Sequence, residues 1–195
     1  MKDDDVVNEV KRALRDWALG DVKAAMGCGA KVGAFILSSC LIDYAASYYS
    51  EFQGKRETGR RYIDFVGRFM PSYDAKGLYQ SLRNKLVHNY SEGGKYFMAD
   101  GEKAGKHLAE IGGKTLLNLE DFVRDVEVAL DEYLHALESD AEAALRTRCV
   151  ARYTTDPPLQ LVRVQRTVQG KVDLPPVSGS TTPVTFVLSS SSDNS

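Results

Sequence analysis

The sequence predicts an all-α fold, a bundle of about five helices with a β-hairpin inserted before the last long helix and a partly disordered C-terminal tail. Three observations support this fold class. Apolar residues recur at helical spacing between residues 6 and 137, a glycine-rich and aromatic stretch at residues 95–117 interrupts that spacing, and five of the six prolines lie beyond residue 153. A chain of 195 residues can form one well-buried domain with an appendage.

The first two helices are predicted from apolar residues three and four positions apart. The first follows a run of aspartates, which suits the positive end of a helix dipole, and its apolar positions are Val6, Val7, Val10, Leu14 and Trp17. A segment punctuated by glycine separates it from the second helix, in which the apolar positions are Leu37, Leu41, Tyr44 and Tyr48.

The third and fourth helices are bounded by residues that start and stop helices. Thr58 is expected to cap the third helix, and Pro71 is expected to stop it. Asp74 is expected to open the fourth helix, which runs to about Asn89 before the pair Gly93–Gly94. The inward positions of the third helix are Ile63, Val66 and Phe69.

The segment from Lys95 to Leu117 is predicted to be a β-hairpin, with Asp100–Gly101 as a candidate turn. Asn118 is expected to cap the longest helix, which is predicted to continue through Ala141–Ala144 towards Arg152. The apolar stripe of that helix comprises Leu119, Phe122, Val123, Val126, Leu130, Tyr133, Leu134 and Leu137.

Composition divides the chain into a helical domain at residues 1–153 and a tail at residues 154–195. The tail is rich in proline, serine and threonine, a composition that buries little apolar surface, so it is expected to be flexible or to hold short strands. The stretches with strand-like, β-branched content are Leu159–Val168 and Val184–Leu188.

Charge, apolar runs and cysteines indicate a cytoplasmic protein with no membrane partner. A formal net charge of −2 excludes a polyanion binder that works by bulk electrostatics. The longest apolar stretch, Ala34–Tyr49, has 16 residues and contains Asp43, so it is too short and too polar to span a bilayer. The acidic N-terminus does not resemble a secretory signal, and three cysteines without a CxxC pair suggest free thiols in a reducing compartment.

The fourth helix carries three residues that suggest chemistry, Arg83, Asn84 and His88. On a helical wheel Asn84 and His88 lie one turn apart, and Arg83 is long enough to reach the same place. Histidine exchanges protons near neutral pH, arginine holds phosphate oxygens with a fixed fork of donors, and a carboxamide orients the histidine or a ribose. Because RNA supplies its own nucleophile, the 2′-hydroxyl, this set can cleave RNA without a metal ion or another cofactor.

These residues resemble the motif of the HEPN family, Arg-x4-6-His with a polar residue directly after the arginine, and Tyr90 extends the match to Arg-x4-His-x-Tyr. That variant is similar to the motif of HEPN toxins that are paired with a nucleotidyltransferase antitoxin. The resemblance implies an all-helical domain, a homodimer in which two motifs share one cleft, and a metal-independent endoribonuclease that acts as a toxin or in antiviral defence. Tyr90 is expected either to pack in the core or to be a modification site.

Basic residues on the third and fourth helices are either phosphate contacts or ordinary solvated charges. Residues 53–106 include 11 Lys or Arg against 6 Asp or Glu. Asp43 is an acid in an apolar helix, so it must face solvent or pair with a partner. If it pairs with Arg83 or His88, it would hold that side chain in place without contacting the substrate itself. The candidates for RNA binding are Lys85, Arg60, Arg61 and Arg68.

No metal centre is predicted, because His88, His107 and His135 lie far apart and no metal-binding spacing is present. His107 and His135 are expected to be solvated. The glycine-rich segment Gly27–Gly33 lacks the preceding strand and the GK[ST] of a phosphate loop. Two other functions stay open, a HEPN module that binds RNA or a nucleotide without cleaving it and a helical scaffold for protein partners.

Overall fold

The computed structural model describes residues 2–51, 54–91, 93–101 and 106–158, together with the backbone of residues 171–173 and 185–187. The chain divides into two compact units, Met1–Pro158 and Leu159–Ser195. The described part of the first unit is predominantly helical with one small sheet, in agreement with the predicted fold class. Within the described residues, no helix is both long and apolar enough to cross a membrane.

The N-terminal helix contains a π-helical segment that the apolar pattern did not predict. α1 (Asp3–Arg12) continues through this segment (Ala13–Ala18) into α2 (Leu19–Gly27). The Arg12 guanidinium lies 5.3 Å from the centroid of the half-buried Trp17 ring. The predicted apolar positions that are fully buried are Val6, Val7, Val10 and Leu14.

α3 (Lys31–Tyr49) packs against α2 and four later helical segments. Leu41 and Tyr48 are buried as predicted, but Leu37 is 36% exposed and Tyr44 is half-buried. The predicted stripe was wrong for Leu37. Small side chains form much of the buried face of α3 and let neighbouring helices approach closely there, so Leu37 lies outside that face. These small residues are Ala34, Ser38, Ser39, Ala45 and Ala46.

α4 (Thr58–Phe69) ends two residues before Pro71, as predicted. Glu57 occupies its N-cap position, so the prediction of Thr58 as the cap was wrong. Thr58 is instead the first helical residue, and its hydroxyl accepts a 3.3 Å hydrogen bond from Arg61 Nη2. Ile63, which was expected to face inward, is half-buried. The buried residues of α4 are Arg61, Tyr62, Phe65, Val66 and Phe69.

The fourth predicted helix consists of three consecutive helical segments. They are α5 (Ala75–Leu78), a π segment (Tyr79–Leu86) and α6 (Val87–Asn89). Their combined length agrees with the prediction of one helix that opens at Asp74 and runs to about Asn89. The residues that this helix buries at four-residue spacing are Leu78, Leu82 and Leu86.

The segment predicted to be a hairpin is a three-stranded mixed sheet, so the predicted topology was wrong. β1 (Tyr96–Ala99) and β3 (Lys114–Asn118) run parallel, whereas β2 (Glu110–Ile111) pairs antiparallel with β3. Gly112 and Gly113 link β2 to β3 with φ of 58° and 76°, the left-handed conformation that a tight two-residue hairpin turn requires. Because β2 occupies one edge of β3, β1 pairs with the other edge.

The longest helix, α7 (Leu119–Glu138), begins as predicted at Asn118. The Asn118 Oδ1 accepts a 3.2 Å hydrogen bond from the Asp121 amide, and all eight residues of the predicted apolar stripe are buried. The predicted continuation of this helix was wrong. Ser139 adopts extended backbone angles that end α7, and α8 (Ala143–Thr155) follows after a short 3₁₀ turn.

In the second unit, β4 (Lys171–Asp173) pairs antiparallel with β5 (Thr185–Val187). β5 lies within the predicted strand-like stretch 184–188. The other predicted stretch, 159–168, lies outside the described residues, as does the part of the tail for which flexibility is expected. The division of the chain at residue 153 stays a prediction, and α8 runs on to Thr155.

His107 connects the loop before β2 to the helices through both ring nitrogens. Nδ1 accepts a 3.1 Å bond from the Asn118 amide, and Nε2 lies 2.8 Å from the Tyr73 hydroxyl, which donates to Asp125 Oδ2 at 2.8 Å. Because the Tyr73 hydroxyl has one proton, Nε2–H must donate to it, so His107 is neutral. The prediction of a solvated His107 was wrong, since its side chain is 11% exposed, whereas His135 is exposed as predicted.

The stability of the domain is expected to fall in acid partly through His107. Burial lowers the pKa of its imidazole below the ordinary value of 6.5, against the opposing charge of Asp125. Below about pH 6.5 the unfolded chain therefore binds more protons than the folded chain, and the free energy of unfolding falls as the pH falls. In the His107→Asn variant, chemical denaturation between about pH 7.5 and pH 5 should show a shallower pH dependence.

His135→Asn is the matched control for this prediction, because His135 is exposed and should leave the pH dependence unchanged. Identical pH dependences for His107→Asn and the wild type would contradict the assigned role of His107.

Candidate functional site

The motif residues lie on the helix formed by α5, the Tyr79–Leu86 π segment and α6. Asp74 caps its start, because the Asp74 Oδ1 accepts a 2.9 Å hydrogen bond from the Gly77 amide, and Lys95 forms a salt bridge with the same carboxylate. The helix ends at Tyr90, whose φ of 55° lies in the left-handed region. The Asp74–Lys95 pair connects the start of this helix to the residue directly before β1.

The π winding determines which motif side chains meet. Residues five apart are separated by about 1.4 turns in an α-helix but by close to one turn in a π-helix. Arg83 lies in the π segment, and its Nη1 is 3.2 Å from Nε2 of His88, five residues later. The helical wheel of an ideal α-helix predicted that Asn84 and His88 can touch and that Arg83 reaches the same place, and the contact found is between Arg83 and His88.

Asp43 on α3 holds the Arg83 side chain in place. Its Oδ2 accepts a 2.7 Å hydrogen bond from Arg83 Nε, and the Arg83 and Asp43 side chains are only 21% and 17% exposed. Burial alone would lower the pKa of the guanidinium, but the hydrogen bond and charge of Asp43 outweigh it and raise that pKa above its ordinary value. The expected pairing of Asp43 with Arg83 or His88 is therefore found, with Arg83 as the partner.

The contact with Arg83 determines where the His88 ring carries its proton. A guanidinium can only donate hydrogen bonds, so Nε2 of His88 must accept, and the proton of the neutral ring lies on Nδ1. His88 is exposed at the end of the helix. An unprotonated nitrogen thus lies beside a fixed cation at the protein surface, an arrangement that can accept a hydroxyl proton while the cation holds an adjacent anion.

The two other motif residues differ in exposure: Asn84 is partly covered by the protein, whereas Tyr90 faces solvent. Asn84 is half-buried, and its carboxamide makes no side-chain hydrogen bond to the residues that the structure describes. Tyr90 is 71% exposed, so the alternative that it packs in the core of the chain was wrong. The Tyr90 hydroxyl is accessible two residues beyond His88.

The four basic residues expected to contact RNA differ in their availability. Lys85 and Arg60 are exposed, Lys85 on the same helix as the motif. Arg68 forms a 2.7 Å ion pair with Glu142, which offsets its charge. Arg61 is 9% exposed, and such burial does not fit the expectation that it contacts phosphate. Arg60 is also paired, since its Nε lies 3.9 Å from Asp64 Oδ2, so Lys85, exposed on the motif helix, is the best placed of the four to contact a polyanion.

Cys40 is a neighbour of the site that the motif does not reveal. It is half-buried, one helical turn before Asp43 on α3. Burial raises the pKa of the Cys40 thiol, and the nearby charge of Arg83 lowers it only in part, so the thiol stays protonated at neutral pH. The sequence signal for this neighbour is the three-residue spacing from Asp43, which places both residues on one helix face.

Neither a metal cluster nor a known relative identifies the site. Among the described residues, no group of three or more His, Cys, Asp or Glu side chains is placed to hold a metal ion. Comparison with family models, curated proteins and solved structures finds no match. The geometry of the site therefore carries the functional assignment, together with the motif.

Removal of the Asp43 carboxylate is expected to destabilise the domain. The Asp43→Ala variant leaves the largely buried Arg83 guanidinium without its acceptor, which should lower the free energy of unfolding by about 1–3 kcal/mol. Urea denaturation of the variant and the wild type measures this difference.

Glu9→Ala is the control, because it removes an ion pair between Glu9 and Arg12 that is much more exposed. Its effect should stay below about 0.5 kcal/mol. If Asp43→Ala changes stability as little as Glu9→Ala does, then Asp43 does not hold Arg83 in the way described.

Proposed function

We propose that this chain is a metal-independent endoribonuclease whose catalytic residues are Arg83, Asn84 and His88. The observation that supports it most strongly is the 3.2 Å contact between Arg83 Nη1 and His88 Nε2, with Arg83 anchored by Asp43. A proton acceptor and a fixed cation thus lie together at one exposed point, which is what cleavage through the 2′-hydroxyl of RNA requires. The resemblance to the HEPN motif gives independent support from the sequence.

In the proposed reaction, His88 Nε2 exchanges its contact with Arg83 for the ribose 2′-hydroxyl and takes the hydroxyl proton. The 2′-oxygen bonds to phosphorus and the bond from phosphorus to the 5′-oxygen breaks, which yields a 2′,3′-cyclic phosphate and a 5′-hydroxyl. Arg83 stabilises the negative charge that builds on the phosphoryl oxygens. Asn84 orients the ribose or the imidazole. We assign the proton that the 5′-oxygen receives to a second His88 from a homodimer.

The solvent-facing side of α3 supports a homodimer with the site at its interface. This side carries Asp43 and is otherwise mostly apolar, and Val32 and Leu37 are each 36% exposed. Leu37 precedes Asp43 by six residues, about 9 Å along the helix and about 120° around it, so it lies at the edge of this face. A second copy that covers this face in an isologous contact would bring two Arg83–His88 pairs together. The residues of this face besides Asp43 are Val32, Gly33, Ile36, Leu37, Cys40 and Tyr44.

We further propose that the enzyme is a cytoplasmic toxin or antiviral defence effector that a partner protein holds inactive. The accessible Tyr90 hydroxyl, two residues after His88 in the chain, is suited to modification. A nucleotidyltransferase antitoxin, which the motif resemblance implies, would attach a nucleotide there and block the approach of RNA. Lys85 and Arg60 would supply additional phosphate contacts.

The purified protein is expected to cleave RNA in excess EDTA and to leave 2′,3′-cyclic phosphate ends. His88→Ala should lower the rate by at least about 100-fold, because it removes the proton acceptor. Gel analysis of end-labelled RNA, with phosphatase treatment before and after mild acid, measures both the rate and the chemistry of the ends.

His135→Ala is the control for a histidine substitution at an exposed position and should cleave like the wild type. Cleavage that persists in His88→Ala would contradict the proposal. Salt-sensitive RNA binding without products would instead indicate a binding module. A role that depends on residues 154–195 but not on Arg83 or His88 would indicate a scaffold.

The dimer proposal predicts that Leu37→Lys yields a folded monomer with at least about tenfold slower cleavage, because a charge in an apolar interface must be desolvated. Light scattering coupled to gel filtration measures the mass. Val128→Lys is the control, since Val128 is 48% exposed on α7 and should leave both mass and activity unchanged. A wild-type monomer, or a Leu37→Lys dimer, would contradict a composite site at this face.

A further inference from the structure

A cavity away from the motif lies between the end of α3, one face of α4 and α8. Its volume is 480 Å³, within the range of about 300–1,000 Å³ typical of small-molecule sites. Tyr49, which lines it, follows Asp43 by six residues on α3 and so points about 120° around the helix from it, on the side opposite Leu37. The residues that line the cavity are Tyr49, Ser50, Glu51, Ile63, Asp64, Gly67 and Arg148.

Arg148 is the donor group of this cavity and differs from the two other arginines of α8. Arg146 forms an ion pair with Asp4, and Arg152 forms one with Asp156. For Arg148 no hydrogen bond or ion pair is found within the described residues, and its buried Nε, like that of Arg152, lacks an acceptor. The central carbon of the Arg148 guanidinium lies 5.9 Å from the centroid of the Tyr49 ring, a cation–π contact that restrains the side chain at the cavity wall.

Two carboxylates supply the acceptor side of the cavity. Glu51 and Asp64 line the same space as Arg148, but neither lies within ion-pairing distance of it. Asp64 is instead 3.9 Å from the exposed Arg60. A guanidinium can only donate and an ionised carboxylate can only accept, so a ligand that bridges them must present adjacent acceptors at one edge and adjacent donors at another.

We propose that this cavity binds a guanine base. Guanine is the nucleobase with two adjacent acceptors, O6 and N7, beside two adjacent donors, N1–H and N2–H. The Arg148 fork matches the first pair, a bidentate contact that proteins use widely to read guanine. A carboxylate of Glu51 or Asp64 accepts from the second pair. Adenine, cytosine and uracil each lack one of these two bidentate edges.

The remaining wall of the cavity suits a flat ring. Ile63 provides apolar surface, and Gly67 on α4 leaves the backbone open, since a Cβ built there meets no atom within 4 Å. The guanine can belong to a free mononucleotide or to an unpaired nucleotide of RNA, because the edges that the cavity reads are the same. The proposal does not depend on cleavage at His88.

Isothermal titration with GMP, AMP, CMP and UMP, and with single-stranded RNA oligonucleotides that contain or lack one guanosine, tests the proposal. The wild type should bind the guanine-containing member of one or both series at least about tenfold more tightly than the others. Binding of GMP identifies a free nucleotide as ligand, whereas binding of the oligonucleotide alone identifies a base in RNA.

Two variants localise the binding. Arg148→Met keeps the stem over Tyr49 but removes the donors, and Gly67→Leu places a side chain in the cavity from a Cβ that meets no protein atom within 4 Å. Both should weaken guanine binding about tenfold or more while circular dichroism shows a native fold.

Gly20→Leu is the control, because Gly20 is also helical with no atom within 4 Å of a built Cβ. The absence of guanine preference in both series, or unchanged binding in Arg148→Met and Gly67→Leu, would overturn the proposal.

Discussion

The hydrogen-bonded ion pair between Arg83 Nε and Asp43 Oδ2 is the interaction on which the site depends. It joins α3 to the π segment of the fourth predicted helix, and it compensates the burial of both charges. Because one edge of the guanidinium is held by Asp43, Nη1 is directed to His88 at the surface. Without the Asp43 carboxylate, nothing in the described part of the chain would hold the Arg83 guanidinium in this orientation, and His88 Nε2 would lose the hydrogen bond that Arg83 donates.

The sequence identified the motif residues, but it did not show which of their side chains contact each other. The four residues between Arg83 and His88 identify the pair, and the single acid in an apolar helix identified Asp43 as a residue in need of a partner. The π winding has no comparable signature, because the same leucines at four-residue spacing fit an α-helix. An ideal wheel put Asn84 one turn from His88 and Arg83 within reach of the same place, so it did not show which of the two contacts His88.

Helix caps and apolar stripes, which lie within one stretch of chain, predicted the helices. Strand pairing and the burial of His107 depend on residues far apart in the sequence, so the sequence pattern did not predict them. Asn118 as a cap and the apolar stripe after it define α7 within one stretch of chain. The parallel pairing of β1 with β3, by contrast, depends on which edge of β3 is already taken. The burial of His107 depends on Tyr73, 34 residues away, and no pattern around His107 itself indicates that contact.

The tautomer of His88 tests the account of the site most directly, because donation from Arg83 requires that Nε2 be unprotonated. Nitrogen-15 NMR of the imidazole at alkaline pH distinguishes the two ring nitrogens. We expect the proton of His88 on Nδ1 in the wild type, and a shift of the population towards Nε2–H in Arg83→Met. A wild-type ring protonated at Nε2 would contradict the geometry from which the function is inferred.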